Sequence, residues 1–168
     1  MGPLRELLAI DQRQALEFFF QRLKDVSGPA VDPPELLYNA SLLAHYAQVS
    51  TRAETELAAP ATLSAVFDRF VVDSTVPRDS LLLETAGAQC MVLAGFFEDQ
   101  MRHRHNIRWY ARLGAGFFKQ AALLEPSPHR ARLLGSVASR FEAWRQRHAQ
   151  LGRELRDQPF LFAPPTAP

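Results

Sequence analysis

Residues 80–101 read SLLLETAGAQCMVLAGFFEDQM. Glu84 is the only charge before Glu98, and the apolar residues do not alternate strictly with polar ones. The stretch therefore predicts a helix over residues 79–101 with most of its circumference covered by other helices. The next apolar stretch, residues 107–124, sets Trp109, Tyr110, Leu113, Phe117, Phe118, Ala121 and Leu124 at helical spacing. It predicts the second arm of an antiparallel hairpin at the core. Gly87, Gly95 and Gly114 fall inside these two arms. A glycine in a helix interior costs about 1 kcal/mol against alanine, so the three predict backbones packed closely, with a ligand on bare backbone as the alternative.

Outward from this hairpin, proline marks the boundaries. A first helix is expected over residues 3–26, stopped by Ser27-Gly28-Pro29. A second spans 33–50, with Asp32 placed to cap its N-terminus and Pro33 and Pro34 suited to its first turn. A short third covers 60–72, with Leu63, Val66, Phe67 and Phe70 toward the core. The last covers 128–156, where Leu134, Val137, Phe141, Trp144, His148, Leu151 and Leu155 recur at spacings of three and four and form one seam. The reading is all-α: a single-domain bundle of about six helices over residues 1–156, then an extended Pro-rich tail over 157–168. Phe160-Leu161-Phe162 make that tail too apolar for free solvation, so it is expected to dock on the body or on a partner. No internal repeat is visible.

Composition excludes several classes. The chain has 168 residues, 47% hydrophobic and 22% charged, which excludes a largely disordered protein. A single cysteine, Cys90, excludes an intrachain disulfide scaffold. No apolar run approaches the ~18 residues of a membrane span, and Arg5, Glu6, Asp11 and Arg13 interrupt the N-terminal apolar residues where a signal peptide needs an uncharged core. A cytoplasmic location is the expectation.

The net charge of +1 conceals a division. Residues 100–156 hold twelve basic against three acidic side chains, a surplus of nine, and the remainder carries a deficit of eight. Arg102, Arg104, Arg108 and Arg112, with Trp109 and Tyr110 interleaved, cross the turn into the 107–124 helix. Arginine forks beside aromatic faces suit phosphates and stacked bases, so Arg102, Arg104, Arg108, Trp109 and Arg112 are candidate contacts for an anion or a nucleic acid. The competing reading is mutual neutralisation of the two portions within one domain or across a dimer.

The chemistry of known motifs is thin. None of the five histidines follows a glutamate by three residues; those positions hold Leu42, Gln100, Arg102, Pro126 and Arg145. That excludes the Glu-x-x-His pattern of di-iron bundles, and neither a zinc nor a calcium pattern is present. No metal and no cofactor is expected. Cys90 lies in the most apolar helix and reads as structural. A Gly-x-Ser-x-Gly elbow, a phosphate loop and a dinucleotide fingerprint are all missing. Tyr38, Asn39, Ser41, His45 and Tyr46 form a polar group on an apolar helix, read as satisfied core groups, with Tyr38, Ser41, His45 and Tyr46 as the lining of a small-ligand pocket in the alternative.

Residues 87–97, GAQCMVLAGFF, followed by WYARLGAGFF at 109–118, and LLYNASLL at 36–43, resemble an uncharacterised family of bacterial all-helical cytoplasmic proteins. Its marks are a Gly-Phe-Phe helix end, then an aromatic pair and Leu-Gly. The resemblance implies a bacterial helical domain and carries no catalytic residue.

The functional expectation is a non-catalytic interaction or regulatory protein that works through protein contacts as a homodimer. Leu134, Phe141, Trp144, His148 and Leu151 are the candidate self-association seam. The alternatives are a nucleic-acid binder using Arg102–Arg112 and the last helix, and a ligand binder using Tyr38, His45 and Tyr46.

Overall fold

A computed structural model describes residues 12–51, 80–102 and 106–156. The expected helix over 60–72, the first residues of the 3–26 helix, Arg104 and the tail with Phe160-Leu161-Phe162 lie outside the described residues. Within them the chain is an all-α bundle without a strand: α1 (Gln12–Ser27), α2 (Pro33–Thr51), α3 (Ser80–Met91), a π turn (Val92–Phe96), α4 (Glu98–Met101), α5 (Ile107–Leu124), α6 (Pro128–Ser139) and α7 (Phe141–Arg156).

The helix ends follow local chemistry. Gly28 takes φ 82°, the left-handed conformation that ends α1, and its N–H donates to the Lys24 carbonyl at 3.2 Å. Asp32 caps α2 as expected: the Glu35 N–H donates to Asp32 Oδ2 at 3.3 Å and the Leu36 N–H to the Asp32 carbonyl at 3.0 Å. Asn106 Oδ1 accepts from the Trp109 N–H at 3.2 Å and caps α5. Ser127 caps α6, with Pro128 in the first turn.

α3 and α5 form the expected antiparallel pair. Ser80 Oγ, at the start of α3, donates to the Ala121 carbonyl near the end of α5 at 3.0 Å. Further along, Gly87 faces the Phe118 ring and Gly114 faces Cys90 and Phe141. A Cβ at Gly114 would stand 2.5 Å from Phe141 Cζ and 2.8 Å from Cys90 Cβ, so the glycines serve close helix packing. α1 and α2 pack as a second hairpin, and Phe19, Leu23, Ala40 and Leu43 join its interior to the common core.

Two expected continuous helices are interrupted. The 79–101 helix changes to a π turn at Val92–Phe96, where the Phe97 N–H reaches five residues back to the Val92 carbonyl at 3.0 Å. The partner helix explains the change. Added Cβ atoms would stand 2.8 Å from His148 Cβ at Gly95 and 2.2 Å from the Phe96 carbonyl oxygen at Gly152. Here the π turn and α7 approach backbone to backbone, and the Arg145 guanidinium donates to the Ala94 carbonyl at 3.1 Å. The 128–156 helix is likewise two, α6 and α7, bent at Arg140 (φ −105°, ψ 20°). Ser139 Oγ bonds back to the Gly135 carbonyl at 3.0 Å, a pattern that bends helices. The Arg140 side chain meanwhile turns to a distant carboxylate on α2.

Candidate functional site

The seam of α6 and α7 faces inward. Leu134, Phe141, Trp144, His148 and Leu151 are all buried in the chain's own core. The face proposed for self-association is therefore already occupied, and the heptad spacing reflects packing against α2, α5 and the π turn.

Behind the seam lies a buried polar network that links helices remote in sequence. Glu35, 1% exposed, accepts from Arg140 Nε at 2.9 and 3.0 Å, from Arg140 Nη2 at 2.6 Å and from Trp144 Nε1 at 3.1 Å. Burial pushes its carboxyl up, but the bonds from Arg140 and Trp144 with the Arg140 charge outweigh this and hold it below the usual range. Asn39 Nδ2 donates to the Glu35 carbonyl at 2.9 Å, which turns Asn39 Oδ1 toward His148 Nε2, also at 2.9 Å. An oxygen there requires a donor, so His148 is the neutral Nε2–H tautomer, and Nδ1 has no hydrogen-bond partner among the described residues. Full burial pushes the His148 pKa down to about 3.

The other acidic–basic contacts follow the same plan. Glu84 accepts from Arg130 at 2.7 and 2.8 Å and from the Tyr38 hydroxyl at 2.7 Å. Arg145 bonds Glu142 on its own helix at 2.6 and 2.8 Å and Glu98 of α4 at 2.7 Å. Arg147 lies over the Trp144 ring, 4.5 Å from its centroid. Four arginines of residues 100–156, namely Arg102, Arg130, Arg140 and Arg145, are thus each paired with a carboxylate of the acidic remainder.

The proposed ligand group is dispersed. Tyr38 turns inward to Glu84, and Tyr46 packs edge-on against Phe97, 5.5 Å between centroids. Ser41 Oγ donates back to the Leu37 carbonyl at 2.8 Å, and Ser41 and His45 are both exposed. The four do not line one cavity. Cys90 is buried, which pushes its thiol up to about 12, unfit for a nucleophile. The described residues contain no group of three or more metal-ligating side chains, and no described helix is long and apolar enough to cross a membrane.

The arginine–aromatic candidates divide. Arg102 is bonded to Glu98. Arg108 and Arg112 are exposed, one turn apart on α5, and form no ion pair among the described residues. Trp109 beside them is 39% exposed and stands edge-on to Tyr110 at 5.0 Å. Arg108 and Arg112 border a groove of about 230 Å³ between the start of α5 and the start of α7, completed by Ile107, Ala111, Glu142 and Arg145. Arg145 is not among the candidate contacts that the sequence singles out. A Glu142-x-x-Arg145 pair on a helix was the signal that could have drawn attention to it. Glu35 was also passed over, although a carboxylate one turn before Asn39 on so apolar a helix needs a buried cation.

Comparison with family models gives no match, and neither the curated proteins nor the solved structures contain a match to this chain.

Proposed function

We propose that this chain is a non-catalytic interaction protein whose contact face is the first two turns of α5. One observation carries the reading: Arg108 and Arg112 stand exposed and without an ion pair among the described residues, while Arg130, Arg140 and Arg145 are each bonded to carboxylates. Trp109 beside them adds a half-exposed aromatic side chain, and Trp and Arg are the residue types that most often anchor protein interfaces. The burial of Cys90 and His148 and the separation of Ser41 from any partnered base support a role without chemistry. The burial of the α6–α7 seam supports a partner other than a second copy docked through it.

Affinity purification from native cells, with and without nuclease, tests the reading. A protein partner retained by the unaltered chain and lost with the Arg108→Glu, Arg112→Glu double variant is expected, unaffected by nuclease. Loss of all co-purifying material on nuclease treatment would favour the second reading, a nucleic-acid contact through Arg108, Trp109 and Arg112. No partner in either arm would remove the proposal.

A further inference from the structure

We infer that the α5–α7 groove docks a carboxylate-bearing protein segment, an acidic peptide with a small apolar residue between its acids. The inference rests on the interaction-protein reading and names the chemistry of the partner. The groove, at about 230 Å³, is smaller than the roughly 300 Å³ at which small-molecule sites begin, and it suits one or two side chains. Ile107 and Ala111 contribute its apolar lining, and three arginines stand against one glutamate in the rest. Glu142 and Glu98 both engage Arg145, leaving Arg108 and Arg112 to act outward. Four residues apart on a helix, Arg108 and Arg112 have their Cα atoms about 6 Å apart along the axis and project from one face. Each can take a carboxylate through a two-pronged fork.

A phosphate polymer fits less well. Two open cations give a dependence of log affinity on log salt of only about −2, far from the six to ten contacts of proteins that bind duplexes tightly. Glu142, with its side chain 57% exposed, adds a carboxylate to the groove wall that repels a continuous run of phosphates. A peptide can place its acids against the arginines and a neutral residue against Glu142.

Calorimetric titration of the full chain at 150 mM salt tests this with three probes: the blocked heptapeptide Glu-Glu-Leu-Glu-Ala-Glu-Glu, its counterpart with glutamine for every glutamate, and an eight-residue oligothymidylate. The acidic peptide is expected to bind with a Kd below 1 mM, the glutamine peptide at least tenfold more weakly, and the oligonucleotide not measurably. Arg112→Glu should weaken the acidic peptide at least tenfold. Arg153→Glu, an equal charge change at an exposed position of α7, should leave it within twofold. Equal binding of the two peptides, tighter binding of the oligonucleotide, an equal loss with Arg153→Glu, or no binding of the acidic peptide at 1 mM would each overturn the inference. If the cellular partner is lost with the double variant but the acidic peptide does not compete for it, the interaction reading stands and the acidic-segment chemistry falls.

Discussion

Arg108 and Arg112 on α5 and Arg140 and Arg145 around the start of α7 are one residue type within one basic stretch, yet their surroundings are opposite. Arg140 reaches a carboxylate 105 residues away and Arg145 is held between two, whereas the α5 pair ends in solvent. The first pair organises the interior and the second leaves charge on the surface. A count of arginines cannot separate these roles, because the difference lies in which helix each faces. Surface arginines contribute little to stability, while a buried carboxylate deprived of its cation is costly. Substitutions in the two regions should therefore diverge in both size and sign.

The largest effect is expected from Arg140→Met, which leaves Glu35 buried without its cation. Urea unfolding at pH 7 should show a loss of about 3 kcal/mol. A loss below about 1 kcal/mol would mean that water serves Glu35 as well as Arg140 does, and the contrast between the regions would dissolve. Gly152→Ala comes next, since the new Cβ would stand 2.2 Å from the Phe96 carbonyl oxygen. A cost of about 2–3 kcal/mol is expected. Gly135→Ala in α6, whose nearest neighbour would be Ala122 Cβ at 3.9 Å, should instead gain about 0.5 kcal/mol through helix propensity.

The interior also carries a pH signature. His148 is held neutral in the fold, with its pKa down at about 3 from 6.5, so the unfolded chain binds the extra proton as pH falls. Its stabilisation is complete above about pH 6.5 and is lost progressively from there toward pH 3. Between pH 7 and pH 5 unfolding free energy should fall by about 2 kcal/mol, and His148→Gln should flatten that slope. An unchanged slope in the variant would assign the acid sensitivity elsewhere. An effect as small as that of Gly135→Ala belongs to α5. Arg108 lies in the first turn of a helix whose first turn has no acid, where a cation opposes the helix dipole. Arg108→Glu should raise stability by about 0.5 kcal/mol while weakening partner binding. A fall in stability would show Arg108 to be part of the scaffold.

The helical spans and the α3–α5 hairpin were legible because they depend on local rules: apolar spacing, Asp32 before Pro33, and Gly28 after Ser27. The close approach at Gly87 and Gly114 was legible too, since glycine in a helix interior needs a reason. The π turn and the bend at Arg140 were not. The π turn lies where Gly152 of a helix far away in sequence meets Phe96, and at Arg140 the local Ser139 back-bond coincides with the pull of the distant Glu35. The same holds for the candidate site. The sequence showed where the arginines cluster, but the separation of Arg108 and Arg112 from the neutralised ones depends chiefly on Glu98, Glu84 and Glu35 arriving from other elements. The polar group on α2 divides for a related reason. Tyr38 and Tyr46 turn inward while Ser41 and His45 turn out, so residues adjacent along the chain occupy different sides of the helix.

The chain has two tryptophans, and the fold assigns them to the two regions contrasted above. Trp144 is sealed in the core with its indole N–H on Glu35, and Trp109 is 39% exposed beside the groove. Intrinsic fluorescence therefore has two separable sources in one molecule. The Trp144 contribution, blue-shifted in the native state, reports loss of the interior, and the red-shifted Trp109 contribution reports occupancy of the α5 face. Replacing either by phenylalanine leaves an optical probe native to the protein for one event without the other.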